Sequence, residues 1–171
     1  MRFDHFDFLA PIYDQAIRGA LTPDLLELLS PTPASVILDA AGGTGRLAQP
    51  LMAHAAQVVV ADLAAGMLAQ ARQKDGLSAV RASTDALPFR AECFARILIV
   101  DALHHIRAQV DAIAQLWRVL KPGGRLVIEE PDIATFPVKL IALAETLAGM
   151  GSRFLRREQL VHAQRLGQPM F

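Results

Sequence analysis

The chain has 171 residues with 17 basic and 17 acidic side chains, and this zero net charge argues against a nucleic-acid partner, which usually selects a basic excess. Hydrophobic residues make up 53% of the chain, so we expect a single domain, residues 1–171, with a buried core. Cys93 is the only cysteine, which excludes an intrachain disulfide, and no apolar run reaches the roughly 20 residues of a membrane span, so we expect a cytoplasmic protein without a transmembrane segment.

Residues 1–30 are expected to form helices that cap one end of the domain. Within them, Thr22 followed by Pro23 predicts the start of a helix. The threonine side chain accepts a hydrogen bond from a free amide at the start of a helix. Proline at the next position has no N–H to donate, and an N–H at that position would have no partner in the helix.

Five short apolar runs then alternate with longer helical patterns: SVIL (35–38), QVVVA (57–61), SAVRA (78–82), RILIV (96–100) and RLVIE (125–129). Nearly continuous apolar runs are typical of parallel strands that are covered on both faces. The alternation predicts an α/β fold, a doubly wound, Rossmann-like and mostly parallel sheet with right-handed crossovers. Residues 35–130 would form its cofactor-binding core.

One helix is expected between the fourth and fifth runs. Its apolar face is predicted to consist of Val110, Ile113, Ala114, Trp117 and Leu120. The following KPGG ends the helix, because glycines supply the backbone freedom for the turn into the next strand.

The glycine-rich stretch LDAAGGTGRLA, residues 38–48, allows three interpretations. The glycines are only a tight strand-to-helix turn, or they bind a dinucleotide, or they bind another cofactor. The dinucleotide interpretation rests on Gly43-x-Gly45-x-x-Ala48, with Asp62 on a ribose, and this short match is weak by itself.

Three aspartates favour a different cofactor, since each follows one of three successive strands. Asp39 ends the first strand, where a carboxylate would repel a pyrophosphate but accept hydrogen bonds from an ammonium group. Asp62 ends the second strand and suits ribose hydroxyls, and Asp85 follows the third and suits an exocyclic adenine amine. S-adenosylmethionine offers a partner to all three aspartates, whereas a nicotinamide dinucleotide suits only Asp62.

The motifs VILDAAGGTGRLA, VVVADLAAGMLAQAR, DALPF, DALHHI and RVLKPGGRLVIEE resemble, in this order, those of class I S-adenosylmethionine-dependent methyltransferases. Within that class, AGGTG and FLAPIYD are similar to the ubiquinone and menaquinone biosynthesis methyltransferases. The resemblance implies methyl transfer from S-adenosylmethionine, with S-adenosylhomocysteine as product, to a small-molecule acceptor.

The resemblance also implies a set of cofactor-binding residues. Asp39 and the backbone of Ala41, Gly42 and Gly43 would lie near the methionine part. Asp62 would bind the ribose, Leu63 and Met67 would flank the adenine, and Asp85 with the backbone of Ala86 would contact its edge. Asp101 completes the set, and Tyr13 would lie on an N-terminal helix that closes the pocket.

Two departures from the family pattern bear on these expectations. Ala41 stands where the family commonly has glycine, a change that is tolerated if the residue keeps a negative φ. The stretch YDQAIRGALTPDLL lacks the Asn and Trp that the quinone enzymes carry after YD. We therefore assign no quinone, and the apolar helices predict a hydrophobic or aromatic acceptor.

Histidine is the natural base at neutral pH, and His104 and His105 follow the fourth strand, beside the expected methyl group. They are the candidate catalytic residues. The alternative is that one of them packs against the cofactor and the other forms a hydrogen bond with a loop. Asp101 with His104 has no third ligand nearby, so we expect no metal. Two other functions stay open: a cofactor-binding or protein-interacting relative without catalysis, and an NAD-dependent oxidoreductase.

Residues 131–171 have helical character, and the two strands that usually close such a sheet are expected to be missing. The fifth strand would then be an edge with unpaired backbone groups. We expect a homodimer through this edge or through exchanged C-terminal helices, with a truncated monomer as the alternative.

Overall fold

The computed structural model of this chain describes Ala10 and residues 21–131. Its five strands are β1 (Val36–Ala40), β2 (Gln57–Asp62), β3 (Ser78–Arg81), β4 (Phe94–Val100) and β5 (Leu120–Glu129). All four neighbouring pairs are parallel, in the order β3-β2-β1-β4-β5. The predicted Rossmann-like sheet is confirmed. The expected strand loss, C-terminal helices and pocket-closing Tyr13 lie outside the described residues.

Within residues 21–131, four helices cover the sheet: α1 (Pro23–Leu29), α2 (Ala48–Leu51), α3 (Ala65–Ala71) and α4 (Gln109–Val119). Alternate strand residues point to opposite faces, so Ile37 packs with α1, α2 and α3, whereas Leu38 packs with α4. Both faces are therefore buried, as the continuous apolar runs predict. In the part of the chain that the structure describes, no helix is long and apolar enough to cross a membrane.

Helix α1 begins where the sequence predicts it. The Thr22 hydroxyl accepts a hydrogen bond from the Leu25 amide at 3.1 Å, and Pro23 is the first helical residue. Leu25 and Leu29 are buried against the sheet, which fixes the helix on one face. Burial of two leucines contributes on the order of 3–6 kcal/mol before entropy is subtracted.

The predicted apolar face of α4 is partly confirmed, since Ile113 and Leu120 are buried and Trp117 packs against the core. The buried residues are Ala112, Ile113, Leu116 and Val119, whereas Val110 is 46% exposed. Two neighbouring rows of apolar residues on this helix both have helical spacing, so periodicity alone does not show which row is buried. Contact with the sheet decides which row is buried. Leu120, expected to be helical, is the first residue of β5.

Strand β5 begins earlier than expected because the KPGG segment is part of it. Phe94 of β4 pairs with Leu120, and Arg96 pairs with Arg125, so residues 121–124 bulge from the ladder. Gly123 has a φ of 73°, which favours glycine. Within residues 21–131, β5 pairs only with β4 and is an edge of the sheet.

Candidate functional site

A cavity of about 420 Å³ opens at the carboxyl ends of the strands. Its walls come from the loop after β1, the end of β2 with the start of α3, the loop after β3 and the loop after β4. This is where open parallel sheets usually bind ligands, since the chain diverges to opposite faces at that edge. The volume lies within the usual range of sites for small molecules and cofactors.

Four aspartates line the cavity in the order that the sheet imposes. Asp85 follows β3, Asp62 ends β2, Asp39 lies near the end of β1 and Asp101 follows β4. The structure thus brings together the three acids that the sequence analysis assigned to parts of one cofactor, and Asp101, which was also expected in the cofactor-binding set, lines the same cavity.

Asp39 is the most buried of these acids, with 2% of its surface exposed. Burial raises the pKa of its carboxyl to about 7, the negative charge of Asp62 adds to the rise, and Arg46 opposes it. Among the described residues, Oδ2 of Asp39 has no hydrogen-bond partner. A buried unpartnered acceptor costs about 1–3 kcal/mol, so a ligand that donates a hydrogen bond there would be strongly favoured.

The glycine loop leaves room for this carboxyl group. A β-carbon at Gly42 would overlap the Asp39 side chain, so only glycine fits there. Gly43 has a φ of 56° and lines the cavity, where its missing side chain lets a ligand approach the backbone. Ala41 also lines the cavity, but its φ is 53°. Alanine was expected to replace glycine without strain only at a negative φ, and Ala41 does not meet this condition.

Asp62 joins the glycine loop to the loop after β2. One carboxylate oxygen accepts the Gly43 amide and the other accepts the Ala64 amide, both at 2.8 Å. The Asp62 side chain also lines the cavity. Leu63, 58% exposed, and Met67, 2% exposed, line the same part of the cavity.

The loop after β3 differs from expectation at one residue. Asp85 lines the cavity together with Ser83 and Thr84, but Ala86 does not. The Ala86 amide instead donates to the Ser83 carbonyl at 3.0 Å, within the 3₁₀ turn Thr84–Ala86. The structure therefore does not present that amide to the cavity, and its predicted contact with the adenine edge stays untested.

The two candidate histidines occupy different environments. His105 lines the cavity, whereas His104 does not. His104 is 4% exposed, and its Nδ1 lies 2.6 Å from Oε2 of Glu130. The centroids of the two rings lie 4.0 Å apart, so the buried His104 ring packs against the His105 ring. Of the pair, only His105 can reach a ligand in the cavity.

Glu130, which the sequence analysis missed, organises the loop after β4. Its carboxylate accepts the amides of Ala102 at 3.0 Å, Leu103 at 2.7 Å and His104 at 3.3 Å. Burial raises the pKa of this carboxyl, but the bonds from His104 and the amides outweigh burial, so the pKa is lowered. Only the folded chain brings Glu130 to amides 26–28 residues away, and no local pattern signals that contact.

Arg46 also lines the cavity and was not predicted. Its guanidinium lies 3.6 Å from the Asp101 carboxylate, with 13% of the Arg46 side chain exposed. Burial raises the pKa of Asp101, and Arg46 opposes that rise. An arginine placed directly after the last glycine of the loop was the available signal.

In residues 21–131 and Ala10, no group of three His, Cys, Asp or Glu side chains could hold a metal ion.

Comparison with known families identifies relatives of this chain. The sequence profile of the methyltransferase domain family matches residues 38–128. A demethylmenaquinone methyltransferase of Clavibacter sepedonicus is 37% identical over 132 residues, which are 75% of this chain and 51% of the relative. The ubiquinone/menaquinone biosynthesis C-methyltransferase UbiE of Paracoccus denitrificans is 34% identical over 145 residues, 80% of this chain and 57% of the relative. The chain thus spans about half the length of these relatives.

Solved structures share the fold. An S-adenosylmethionine dependent methyltransferase from Mesorhizobium loti superposes with a TM-score of 0.75 at 21% identity, over 88% of this chain and 81% of that chain. A geranyl diphosphate C-methyltransferase from Streptomyces coelicolor, crystallised with S-adenosyl-L-homocysteine, gives a TM-score of 0.66 at 18% identity, over 83% and 57%. At these identities the likeness concerns the fold alone.

Proposed function

The chain belongs to the class I S-adenosylmethionine-dependent methyltransferases, and we propose that it transfers a methyl group from this cofactor to a small-molecule acceptor. The observation that carries the proposal is the buried, unpartnered Oδ2 of Asp39 in a cavity with three further aspartates. Such a cavity attracts a cationic ligand with many donors. It disfavours a pyrophosphate, which argues against the nicotinamide alternative.

We place the adenosine part of the cofactor between Asp85 and Asp62 and its amino-acid part at Asp39. Asp62 holds the ribose hydroxyls, Asp85 accepts the adenine amine, and Leu63 packs beside the adenine ring. The Asp39 carboxylate then takes the cofactor ammonium as the partner that the protein does not provide. The strand order β3-β2-β1 supports this sequence of contacts.

When bound, S-adenosylmethionine supplies a methyl group on a sulfonium that is its own leaving group. The protein residues therefore have to orient the reactants and exclude water. Orientation is worth about 7–11 kcal/mol in well-arranged systems. His105, half-buried in the wall after β4, receives a proton from those acceptors that must lose one before or during attack.

The acceptor is proposed to be a small molecule with a hydrophobic or aromatic part. Leu47, Val100 and Ile106 add apolar surface to the cavity. One relative named above is designated a demethylmenaquinone methyltransferase and the other a ubiquinone/menaquinone biosynthesis C-methyltransferase, so demethylmenaquinone is the first acceptor to assay.

Isothermal titration with S-adenosylhomocysteine tests the cofactor assignment. The folded wild-type protein is expected to bind, and Asp85→Ala to bind about tenfold more weakly, since a hydrogen bond to a charged group contributes about 1.5–3 kcal/mol. Asp75→Ala is the matched control, because Asp75 is exposed and does not line the cavity. No binding at millimolar concentration by a folded sample would contradict the assignment.

Catalysis is tested separately, by release of S-adenosylhomocysteine with a panel of acceptors. Product formation with any acceptor would exclude the alternative that this protein binds the cofactor but does not catalyse methyl transfer. Competition between NADH and S-adenosylmethionine tests the oxidoreductase alternative, which requires tighter binding of NADH.

We further propose that the protein forms a homodimer, through the β5 edge or through exchanged C-terminal helices. Support comes from β5, whose outer edge has no partner strand within residues 21–131. Sedimentation at micromolar concentration tests this, and a monomer of 18.5 kDa that still binds cofactor would refute it. Location in the cytoplasm stays a prediction from the sequence.

A further inference from the structure

Arg118, near the end of α4, anchors the segment that follows the 3₁₀ turn after β3. Its guanidinium donates hydrogen bonds to the carbonyl of Phe89 at 2.8 Å and to the carbonyl of Leu87 at 2.9 Å. The side chain of Gln115, on the same helix, accepts from Nε and Nη2 of Arg118 at 3.0 and 2.8 Å. The planar fork of donors is therefore held in one orientation, and it joins α4 to carbonyls 29 and 31 residues away.

The anchored segment is joined directly to the cavity wall. Leu87 follows the 3₁₀ turn Thr84–Ala86, which packs against α4 and contains Asp85, one of the residues that line the cavity. Pro88 lies between the two carbonyls that Arg118 holds. The proline ring fixes its own φ and favours extended backbone at Leu87, which has a φ of −69° and a ψ of 127°. Because this segment is stiff, the position of the Arg118 fork constrains the turn and the orientation of Asp85.

Arg118 itself does not line the cavity, and neither do Leu87 and Phe89. Asp85 does line it, so an effect of Arg118 on a ligand in the cavity has to act through the turn. The geometry of a hydrogen bond is directional, and the interaction weakens steeply when donor and acceptor are misaligned. Release of the turn from α4 would leave the charge of Asp85 in place but remove the alignment of its carboxylate.

We propose that Arg118 is a positioning residue that holds Asp85 in line with the exocyclic amine of the cofactor base, and that it thereby sets the preference of the site for adenine. The inference rests on the proposed function, which assigns that amine to Asp85. Arg118 would then determine which base the site accepts although it contacts no part of the cofactor.

The competing explanation is that Arg118 only stabilises the fold. Arg96 offers a matched comparison, because its guanidinium also donates to backbone carbonyls, those of Ser30 at 2.9 Å and Ala95 at 2.8 Å, and it does not line the cavity. Both arginines are half-buried. Loss of either should lower the free energy of unfolding, but only loss of Arg118 should change the preference between bases.

The experiment is a calorimetric titration of S-adenosylhomocysteine and S-inosylhomocysteine into the wild-type protein, Arg118→Gln and Arg96→Gln. The inosyl ligand has a carbonyl oxygen in place of the adenine amine and offers Asp85 no donor there. Wild-type protein should prefer the adenosyl ligand about tenfold or more, because the inosyl ligand loses a hydrogen bond to a charged group. Arg118→Gln should reduce this preference about threefold or more, as expected for residues coupled through one network, whereas Arg96→Gln should keep it.

Two further variants test whether Arg118 acts through Asp85. Arg118→Lys keeps the charge but not the fork, so it should restore only part of the preference for the adenosyl ligand. In a protein that already carries Asp85→Ala, adding Arg118→Gln should leave the remaining preference unchanged, because the carboxylate that Arg118 positions is gone. A further loss of preference in that double variant would contradict the inference.

The outcomes separate this inference from the proposed function. Wild-type protein that binds neither ligand overturns both. Wild-type protein that binds the two ligands equally, or an Arg118→Gln variant that keeps the wild-type preference, overturns the inference alone. Equal reductions in Arg118→Gln and Arg96→Gln overturn it too, because the preference would then follow stability. Should Arg118→Gln not fold, Arg118→Lys decides, and a preference equal to that of the wild-type protein overturns the inference.

Discussion

Ala41 adopts a left-handed backbone conformation, with a φ of 53°, at the start of the glycine loop. In this conformation the β-carbon lies too close to a neighbouring carbonyl oxygen, which costs about 1–2 kcal/mol. The loop keeps this conformation because Gly42 must clear the Asp39 carboxyl and the Gly43 amide must reach Asp62. Strain at one residue thus accompanies the geometry of the cofactor site.

Replacement of Ala41 by glycine is expected to stabilise the protein. Relief of about 1–2 kcal/mol of strain outweighs the extra backbone entropy of glycine in the unfolded chain, about 0.4–1 kcal/mol, so the net gain is up to about 1.6 kcal/mol. Urea unfolding measures it. Ala55→Gly is the control, since Ala55 has a φ of −144° and should only lose stability. Equal destabilisation by both substitutions would show that Ala41 is not strained.

The Asp39 carboxyl predicts a pH dependence of cofactor binding. Because burial raises its pKa to about 7, a large fraction is protonated at pH 6 and most is charged at pH 8. Only the charged form pairs with an ammonium group. The affinity for S-adenosylhomocysteine should therefore rise about tenfold between pH 6 and pH 8, by titration calorimetry. The same rise in Asp39→Asn would assign it to another group.

At the scale of elements, the 3₁₀ turn Leu103–His105 depends on a residue from the end of another strand. Glu130 follows β5 and accepts three amides at the start of this turn together with the ring of His104. A carboxylate at the amide end of a helical turn is stabilising because it satisfies donors that have no partner in the turn. Glu130, the residue after β5, thereby holds the loop that carries His105.

Glu130→Gln should loosen this wall. The glutamine NH₂ group would face amide donors, so we expect a loss of about 1–3 kcal/mol in unfolding free energy. Turnover should fall more than cofactor affinity, because Glu130 does not line the cavity. Unfolding in urea, product release and titration calorimetry measure the three quantities. Glu129→Gln, at the exposed neighbour, is the control and should change none of them. If Glu130→Gln lowered cofactor affinity as much as turnover, the result would contradict the hypothesis that Glu130 acts only by holding the loop after β4.

At the scale of the whole molecule, the site depends on the order of the strands. The order β3-β2-β1-β4 brings Asp85, Asp62, Asp39 and Asp101 to one edge, although they are spread over 63 positions of the chain, from 39 to 101. Gathering this negative charge opposes folding, most of all where the Asp39 carboxyl is buried. Stability of the ligand-free protein should therefore depend on pH.

The direction of this pH dependence follows from the raised pKa of Asp39, which is about 7 in the folded chain against an ordinary value of 3.8. The folded state holds the proton more tightly, so stability is highest below the ordinary value and falls as pH rises toward 7. At pH 8, Asp39→Asn should be more stable than the wild-type protein by up to about 4 kcal/mol, while binding cofactor more weakly. Urea unfolding at pH 5 and pH 8 tests this, with Asp75→Asn as control. A stability difference that does not grow with pH would be evidence against a buried charge.

The sequence by itself determined what depends on local pattern. Apolar runs predict the five parallel strands, and Thr22 with Pro23 predicts the first described helix, because period and capping chemistry act over a few residues. The convergence of Asp39, Asp62 and Asp85 was predictable too, since the carboxyl ends of parallel strands meet at one edge.

Tertiary structure alone decided which groups face the cavity. His104 and His105 are equivalent in the sequence, but contact with Glu130 buries one and leaves the other in the wall. The positive φ of Ala41 and the pairing of Arg46 with Asp101 likewise arise from contacts between distant segments. Periodicity does not encode such contacts, because packing against the rest of the fold sets the orientation of each side chain.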